Sequence, residues 1–151
     1  MKTPLLISPC GMNCSLCAWY LAMANNTKKK GVKISYCPGC RIKKKFCGHI
    51  MKKCSFYKNK KIDACYECKK MPCRVLKRLD NRYTKKYHMS MIENNKYIKK
   101  YGLKKFLAWQ KKKWACPKCG ELICCHNGLC FKCEINKLKL RKKTHLYEWD
   151  K

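Results

Sequence analysis

Cysteine is the feature that most limits what this chain can fold into. Sixteen of its 151 residues are cysteines, and many come as close pairs such as Cys37–Cys40 and Cys116–Cys119. The apolar fraction of 46% includes these cysteines, and small cores of this kind need a covalent or metallic staple to fold. A tight Cys-x2-Cys turn aims two sulfurs at one point, which suits a metal ion better than a disulfide. The sequence therefore predicts cysteine-ligated metal, with zinc as the expected ion.

The N-terminal residues argue against export. Residues 1–8 contain a four-residue apolar stretch, which is too short for the core of a secretory signal. No later run approaches the roughly 18 apolar residues of a membrane span. We therefore expect a cytoplasmic protein in a reducing compartment, where stable disulfides are rare.

Positive charge is the second strong feature. The chain has 38 lysines and arginines against eight aspartates and glutamates, a formal net charge of +30. A zinc ion held by four thiolates carries net −2, so four such sites would lower this total by eight, to about +22. Self-repulsion of this size destabilises a compact chain unless a polyanion neutralises it. Composition therefore favours a nucleic acid partner over its alternative, a lysine-rich genome.

The cysteines fall into two groups. Ten lie between Cys10 and Cys73, and six lie between Cys116 and Cys133. This layout predicts four parts: an N-terminal cysteine-rich metal module over residues 1–80, a helical middle over 81–114, a zinc-ribbon-like knuckle over 115–135 and a basic tail over 136–151.

Short helices account for most of the expected regular structure. Residues 15–25 form an apolar stretch with a polar end, and Pro72 suits the first turn of a second helix. A capping box at Ser90 begins a helix that Gly102 would end, and apolar residues recur at helical spacing over 103–114. No alternating run is long enough for a large sheet. The expected fold class is a small metal-stabilised α+β protein, mostly short helices with zinc-knuckle hairpins and little sheet.

The strongest metal motif lies near the C-terminus and consists of Cys116, Cys119, Cys130 and Cys133. Two knuckles joined by a short hairpin place four thiolates around one ion, as in a small zinc ribbon. Such a closed site leaves no position open for catalysis. Cys124 and Cys125 lie inside the hairpin and are also candidate metal ligands, although they could instead pack in the core. His126 beside them is a weaker candidate.

The ten N-terminal cysteines are candidate metal ligands whose division among sites stays open. They are Cys10, Cys14, Cys17, Cys37, Cys40, Cys47, Cys54, Cys65, Cys68 and Cys73. The first three need a further ligand, and the three from Cys65 to Cys73 are the natural donors. The four from Cys37 to Cys54 could close a site themselves, with His49 as a spare ligand. We expect at least two zinc ions here, or one ion and one iron–sulfur cluster.

Basic clusters occur in every segment, and aromatic side chains lie near them. The candidate RNA-binding residues are Lys28, Lys29, Lys30, Lys43, Lys44, Lys45, Lys111, Lys112, Lys113, Lys137, Lys139, Arg141, Lys142 and Lys143. This mixture suits phosphate contacts with occasional stacking on unpaired bases. The excess of lysine over arginine indicates point-charge binding to phosphates more than reading of bases. No basic helix has the broad apolar stripe that binding to a membrane surface needs.

The eight acidic residues are scattered and form no convincing acid–base pair, so we predict no catalytic residues. There is also no glycine-rich loop that could cradle a phosphate, and no small-molecule substrate is evident. The protein is therefore expected to bind a partner more than to catalyse a reaction.

The order of the motifs resembles domain-of-unknown-function family 3795, a group of cysteine-rich proteins from archaea and anaerobic bacteria. The resemblance covers about residues 8–135. It is carried by Cys10-Gly-Met-Asn-Cys14-Ser-Leu-Cys17, Cys37-Pro-Gly-Cys40-Arg41, Cys65-Tyr-Glu-Cys68, Met71-Pro-Cys73-Arg74, Tyr87-His-Met-Ser-Met-Ile-Glu93, Trp114-Ala-Cys116-Pro-Lys-Cys119-Gly and Cys124-Cys125-His126-Asn-Gly-Leu-Cys130. It implies a metal-binding domain of unassigned activity without agreed catalytic residues.

Two functions from different classes are consistent with these patterns. The first is a non-enzymatic zinc-binding and RNA-binding protein, with the ribosome, its rRNA phosphates and its proteins as candidate partners. The second is an iron–sulfur or thiol redox protein of anaerobic metabolism. A colourless protein with stoichiometric zinc would favour the first function, and a brown protein that absorbs visible light would favour the second.

Overall fold

Helices provide most of the regular structure in the computed structural model, which describes residues 4–43 and 49–150. The α-helices are α1 Ala18–Ala24, α2 Cys40–Lys43, α3 His49–Lys53, α4 Ser55–Lys58, α5 Arg74–Tyr87, α6 Met91–Tyr101, α7 Leu103–Lys113 and α8 Ile135–Leu140. Short 3-10 turns lie at Cys14–Leu16, Thr27–Lys30, Cys65–Glu67 and Lys143–His145. Within the described ranges, extended segments pair only at single antiparallel bridges, Ile7 with Asn13 and Ala115 with Leu122. The expected fold of mostly short helices with little sheet is confirmed.

Helix α5 joins the N-terminal cysteine module to the helices that follow. Its inner face carries four buried residues at helical spacing, Leu76, Leu79, Tyr83 and Tyr87. The helix runs across residue 80, so the predicted metal module and the predicted helical middle share one element. No helix in the described part of the chain is long and apolar enough to cross a membrane.

Helix α6 begins and ends where the local signals predict. The Ser90 hydroxyl accepts a hydrogen bond from the Glu93 amide at 3.0 Å, and Gly102 follows the last turn. The same hydroxyl donates to the Asp80 carboxylate on α5 at 2.6 Å, and that carboxylate also accepts from the Ile92 amide at 3.0 Å. The cap therefore satisfies orphan amides of α6 and holds its start against α5.

Two buried asparagines on α6 hold the first cysteine loop in place. The Asn94 side-chain amide donates to the Gly11 carbonyl at 3.1 Å, and that of Asn95 donates to the Cys10 carbonyl at 2.8 Å. The Cys65 amide donates to the Pro9 carbonyl at 2.8 Å. The loop that carries the first cysteines is thus fixed by residues far away in sequence.

The segment predicted as a basic tail is packed against the body of the protein. Leu138 and Leu146 are buried in a cluster with α1 and the hairpin residues Leu129 and Phe131. The Trp149 indole N–H donates to the Cys125 carbonyl at 2.8 Å. The apolar side chains of this basic segment complete the core around α1.

Candidate metal centre

Four cysteines converge at the C-terminal knuckle, which we call the C-terminal group: Cys116, Cys119, Cys130 and Cys133. Their sulfur atoms all lie within 4.8 Å of one another, and the Cys119 and Cys130 sulfurs are 3.6 Å apart. A tetrahedral ion with metal–sulfur bonds of about 2.3 Å places its sulfurs about 3.8 Å apart. The C-terminal group therefore has the spacing to hold a metal ion.

Tight turns on both sides of the hairpin bring these sulfurs together. In the first turn, the Cys116 amide donates to the Glu121 carbonyl at 2.7 Å and the Gly120 amide donates to the Cys116 carbonyl at 2.8 Å. In the second turn, the Cys133 amide points at the Cys130 sulfur, 3.4 Å away. Each cysteine pair thus folds back on itself through its own backbone, and this explains why spacing alone predicts the group.

The backbone also changes how readily these thiols ionise. Amide hydrogen bonds from Cys119 and Lys118 lower the pKa of Cys116 to about 7. The side-chain hydrogen bond with Cys119, together with burial, raises the pKa of Cys133 to about 12. The group therefore favours a thiolate at Cys116, and a bound cation would favour the thiolate form of Cys133 as well.

Cys124 and Cys125 do not join the C-terminal group. Both are fully buried in the core, and burial raises the pKa of Cys124 to about 12. The Cys124 sulfur lies 3.3 Å from the His126 amide, which donates to it. His126 itself accepts a hydrogen bond from the Ala18 amide through Nδ1 at 3.2 Å. Cys124 and His126 therefore pack the hairpin against α1, whereas Cys125 lies in the core around α5.

The cysteines before α5 divide differently from the natural donor sets of the sequence. One cavity of about 170 Å³, which we call the α5 cavity, is lined by four of them: Cys54, Cys65, Cys68 and Cys73. The sequence pattern pairs the last three with the first cysteines of the chain and pairs Cys54 with Cys37, Cys40 and Cys47. The structure brings Cys54 to the other three because α3 packs against α5.

A second cavity of about 80 Å³ is lined by four more cysteines: Cys10, Cys14, Cys17 and Cys40. His126 and Arg82 also line this cavity. Cys37 is buried, and its amide donates to the Trp19 carbonyl at 3.2 Å. Cys47 lies outside the described residues, as does the side chain of His49. No disulfide joins any of the fifteen cysteines that the structure describes.

Most candidate RNA-binding lysines lie on the surface. The exposed ones are Lys28, Lys29, Lys30, Lys111, Lys112, Lys113, Lys137, Lys139, Lys142 and Lys143. Lys43 is half-buried, and Lys44 and Lys45 lie outside the described residues. Arg141 departs from the prediction, because its guanidinium donates to the Glu148 carbonyl and to the Asp150 carboxylate and its side chain is only 12% exposed.

The basic residues that sequence reasoning missed are arginines of α5. Arg74, Arg78 and Arg82 are exposed and spaced four residues apart, so they form one row along α5 that ends beside the second cavity, which Arg82 also lines. Their four-residue spacing is the sequence signal that indicates such a row.

Comparison with known proteins agrees with the motif resemblance in the N-terminal part of the chain. A family model described as "Protein of unknown function (DUF3795)" matches residues 6–78. No curated protein and no solved structure matches the chain. The matched segment contains the ten N-terminal cysteines and ends in α5, so the helices α6 and α7 and the C-terminal group lie beyond it. Residues 6–78 are thus similar to the DUF3795 family, whose function is unknown.

Proposed function

We propose that the protein is a non-enzymatic RNA-binding protein that is stabilised by zinc and contacts RNA through phosphate groups. Charge balance gives the first support. Eight carboxylates can neutralise at most eight of the 38 lysines and arginines. Asp63 and Asp150 are already paired with Arg41 and Arg141, at 3.0 Å and 2.7 Å. The surface lysines therefore need an external polyanion to offset their repulsion.

The arginine row, defined as Arg74, Arg78 and Arg82, is the observation that carries the proposal. The chain has five arginines, and the other two, Arg41 and Arg141, are bound to carboxylates of the same chain. A lysine-rich genome would not place the remaining three at one residue per turn on a single helix face. Because a guanidinium binds phosphate through two parallel hydrogen bonds, such a row suits successive phosphates of a nucleic acid strand.

The outer face of α5 carries basic or neutral residues only. At 100° per residue, Lys77, Asn81 and Lys85 share this face with the arginine row, and all of them are exposed. The acidic residue of the helix, Asp80, points to the other side and binds Ser90 and Ile92 of α6. A partner that approaches this face meets no carboxylate of α5.

Zinc is the proposed ion of the C-terminal group. Four thiolates around one ion form a closed tetrahedral site, which is the usual coordination of structural zinc in reducing compartments. All four ligand positions are filled by protein, so the site would stabilise the knuckle without offering a place for substrate. This supports a binding protein rather than an enzyme.

The test is the salt dependence of RNA binding by the full chain. With six or more phosphate contacts on single-stranded RNA, affinity should fall by about 300-fold or more between 50 and 200 mM salt because bound counterions are released. Replacing the arginine row by glutamine should flatten the log–log slope by about 2 on single-stranded RNA if each arginine holds one phosphate. Fluorescence anisotropy with a labelled RNA measures both quantities.

The matched control replaces Lys96, Lys99 and Lys100 by glutamine. These lysines are exposed on α6, and their replacement removes the same three positive charges. We expect this variant to change the slope much less. Equal effects of both triple variants would reduce binding to net charge alone and contradict the proposal. Sedimentation of native ribosomes at rising salt then tests ribosomal RNA as the partner: release at the same low salt as a freely added basic protein would exclude a specific site there.

A further inference from the structure

We propose that the α5 cavity binds a four-iron, four-sulfide cluster through Cys54, Cys65, Cys68 and Cys73. The assignment concerns the cofactor of one site and does not depend on RNA binding. This cluster differs from the single ion proposed for the C-terminal group because the sulfur atoms of the two cysteine sets are spaced differently.

The spacing of the sulfur atoms separates the two sets. In the C-terminal group all four sulfurs lie within 4.8 Å of one another, whereas no other three ligand atoms among the described side chains approach that closely. The sulfurs of the α5 cavity are thus too widely spaced for one tetrahedral ion, which needs them about 3.8 Å apart. In a four-iron cluster each thiolate binds a different iron, so its sulfurs lie farther apart.

The cavity that these four cysteines line is also larger than one ion needs. The cavity measures about 170 Å³, whereas a site for a single water requires only about 10–15 Å³. Much of its remaining wall is apolar and comes from Ile50, Met71, Val75 and Leu76. Water has few partners on such walls, while a compact inorganic cluster bonded to four thiolates would fill the space.

The surroundings of the cavity suit an anionic group. Lys53 and Lys70 line it, and Cys73 is the N-cap of the 14-residue helix α5, where the helix dipole favours a thiolate. Positive side chains and the helix dipole thus both stabilise the negative charge that four thiolates and the sulfides of a cluster would bring to this cavity.

Transfer of a preformed cluster to the protein is a ligand exchange at iron and needs no oxidant or reductant. Each of the four thiols forms one iron–sulfur bond and gives its proton to the thiolate that leaves the same iron. The oxidation states of iron and sulfide stay the same. The probe is accordingly a synthetic four-iron, four-sulfide cluster with small thiolate ligands, offered without oxygen to the full chain with its C-terminal zinc site filled.

The experiment compares the parent chain with Cys68→Ala, Cys73→Ala and the control Cys119→Ser after removal of unbound cluster. Relative to the parent, each α5-cavity variant should lose about four irons and four sulfides per chain and the matching part of the visible absorption. It should keep its C-terminal zinc and the helical circular dichroism of the parent, which together show that the chain is folded. The control should lose zinc and keep the iron and sulfide.

Two results would overturn the assignment. One is a parent chain that takes up no iron and sulfide. The other is retention of all parent iron in Cys68→Ala and Cys73→Ala, which would place the cluster elsewhere. If either variant also loses its zinc and so fails to fold, Cys54→Ala replaces it, because Cys54 lies at the start of the short helix α4 and is only partly buried. Full iron in that variant would contradict the proposal in the same way.

Discussion

The imidazole of His126 connects the two ends of the chain. Its Nδ1 accepts the Ala18 amide, which is the first amide of α1 and has no partner within the helix. Burial, and then the nearby Arg82, lowers the pKa of His126 to about 4, so the ring is neutral near pH 7. The sequence left this histidine open as a metal ligand. Its actual partner lies 108 residues away, and no local pattern predicts such a contact.

Arg141 is a second residue whose role depends on distant chain. Its guanidinium reaches the carbonyls of His145 and Glu148 and the carboxylate of Asp150. Lysine cannot reproduce this fork, so Arg141→Lys should lower the free energy of unfolding by about 1–3 kcal/mol. Urea denaturation measures this loss, and Lys142→Gln is the control because Lys142 is exposed. Equal stability of Arg141→Lys and the parent chain would show that the fork adds nothing.

The ends of helices that carry capping residues could be predicted from the sequence. The buried and exposed faces of the helices could not. Ser90 and Gly102 mark α6 because caps involve residues within one turn of each other. No local signal predicts the full length of α5, because the helix continues to Tyr87 through its packing against α6. Which side of α5 carries the arginine row became clear only once the buried side was known.

Two glycines with positive φ provide a test of how the hairpin meets the C-terminal segment. Gly102 between α6 and α7 has φ +88° and open space where a Cβ would lie. Gly128 has φ +74°, and a Cβ there would lie 2.6 Å from the Trp149 ring. Gly102→Ala should cost about 1–3 kcal/mol from backbone strain alone, and Gly128→Ala should cost more because the ring must also move.

A double-mutant cycle with Trp149→Ala separates these two contributions in thermal or urea unfolding. In that background Gly128→Ala should cost less than in the parent chain, because only backbone strain remains. An unchanged cost of Gly128→Ala after removal of the ring would mean that contact with Trp149 does not limit this position.

For the whole molecule, the spacing of the cysteines predicted the C-terminal group. It did not show how the ten N-terminal cysteines divide among sites. The C-terminal group forms within 18 residues through turns that close on themselves, so its ligands follow from spacing. The N-terminal cysteines are sorted by packing between α3 and α5 and by α6 asparagines that fix the first loop. Sequence order cannot show that Cys54 and Cys73 line the same cavity, because their proximity depends on how the helices assemble.

Cys119→Ser tests how much metal binding at the C-terminal group stabilises the fold. This change should release one metal ion per chain, because three thiolates no longer close the site. Structural zinc binding is worth about 10–16 kcal/mol, comparable to the whole stability of a domain. Residues 114–134 should therefore lose protection against hydrogen exchange. The loss should spread to α1, since Leu129 and Phe131 pack against Ala18 and Leu21.

Elemental analysis and hydrogen exchange followed by mass spectrometry measure the two effects on the same sample. Cys124→Ser is the matched control, because Cys124 lies in the same hairpin and is buried away from the C-terminal group. It should keep the full metal content even if the polar hydroxyl lowers stability by about 1–3 kcal/mol. Unchanged metal content in Cys119→Ser would rule out the site. Metal loss with unchanged protection over 114–134 would show that packing against α1 holds the hairpin without an ion.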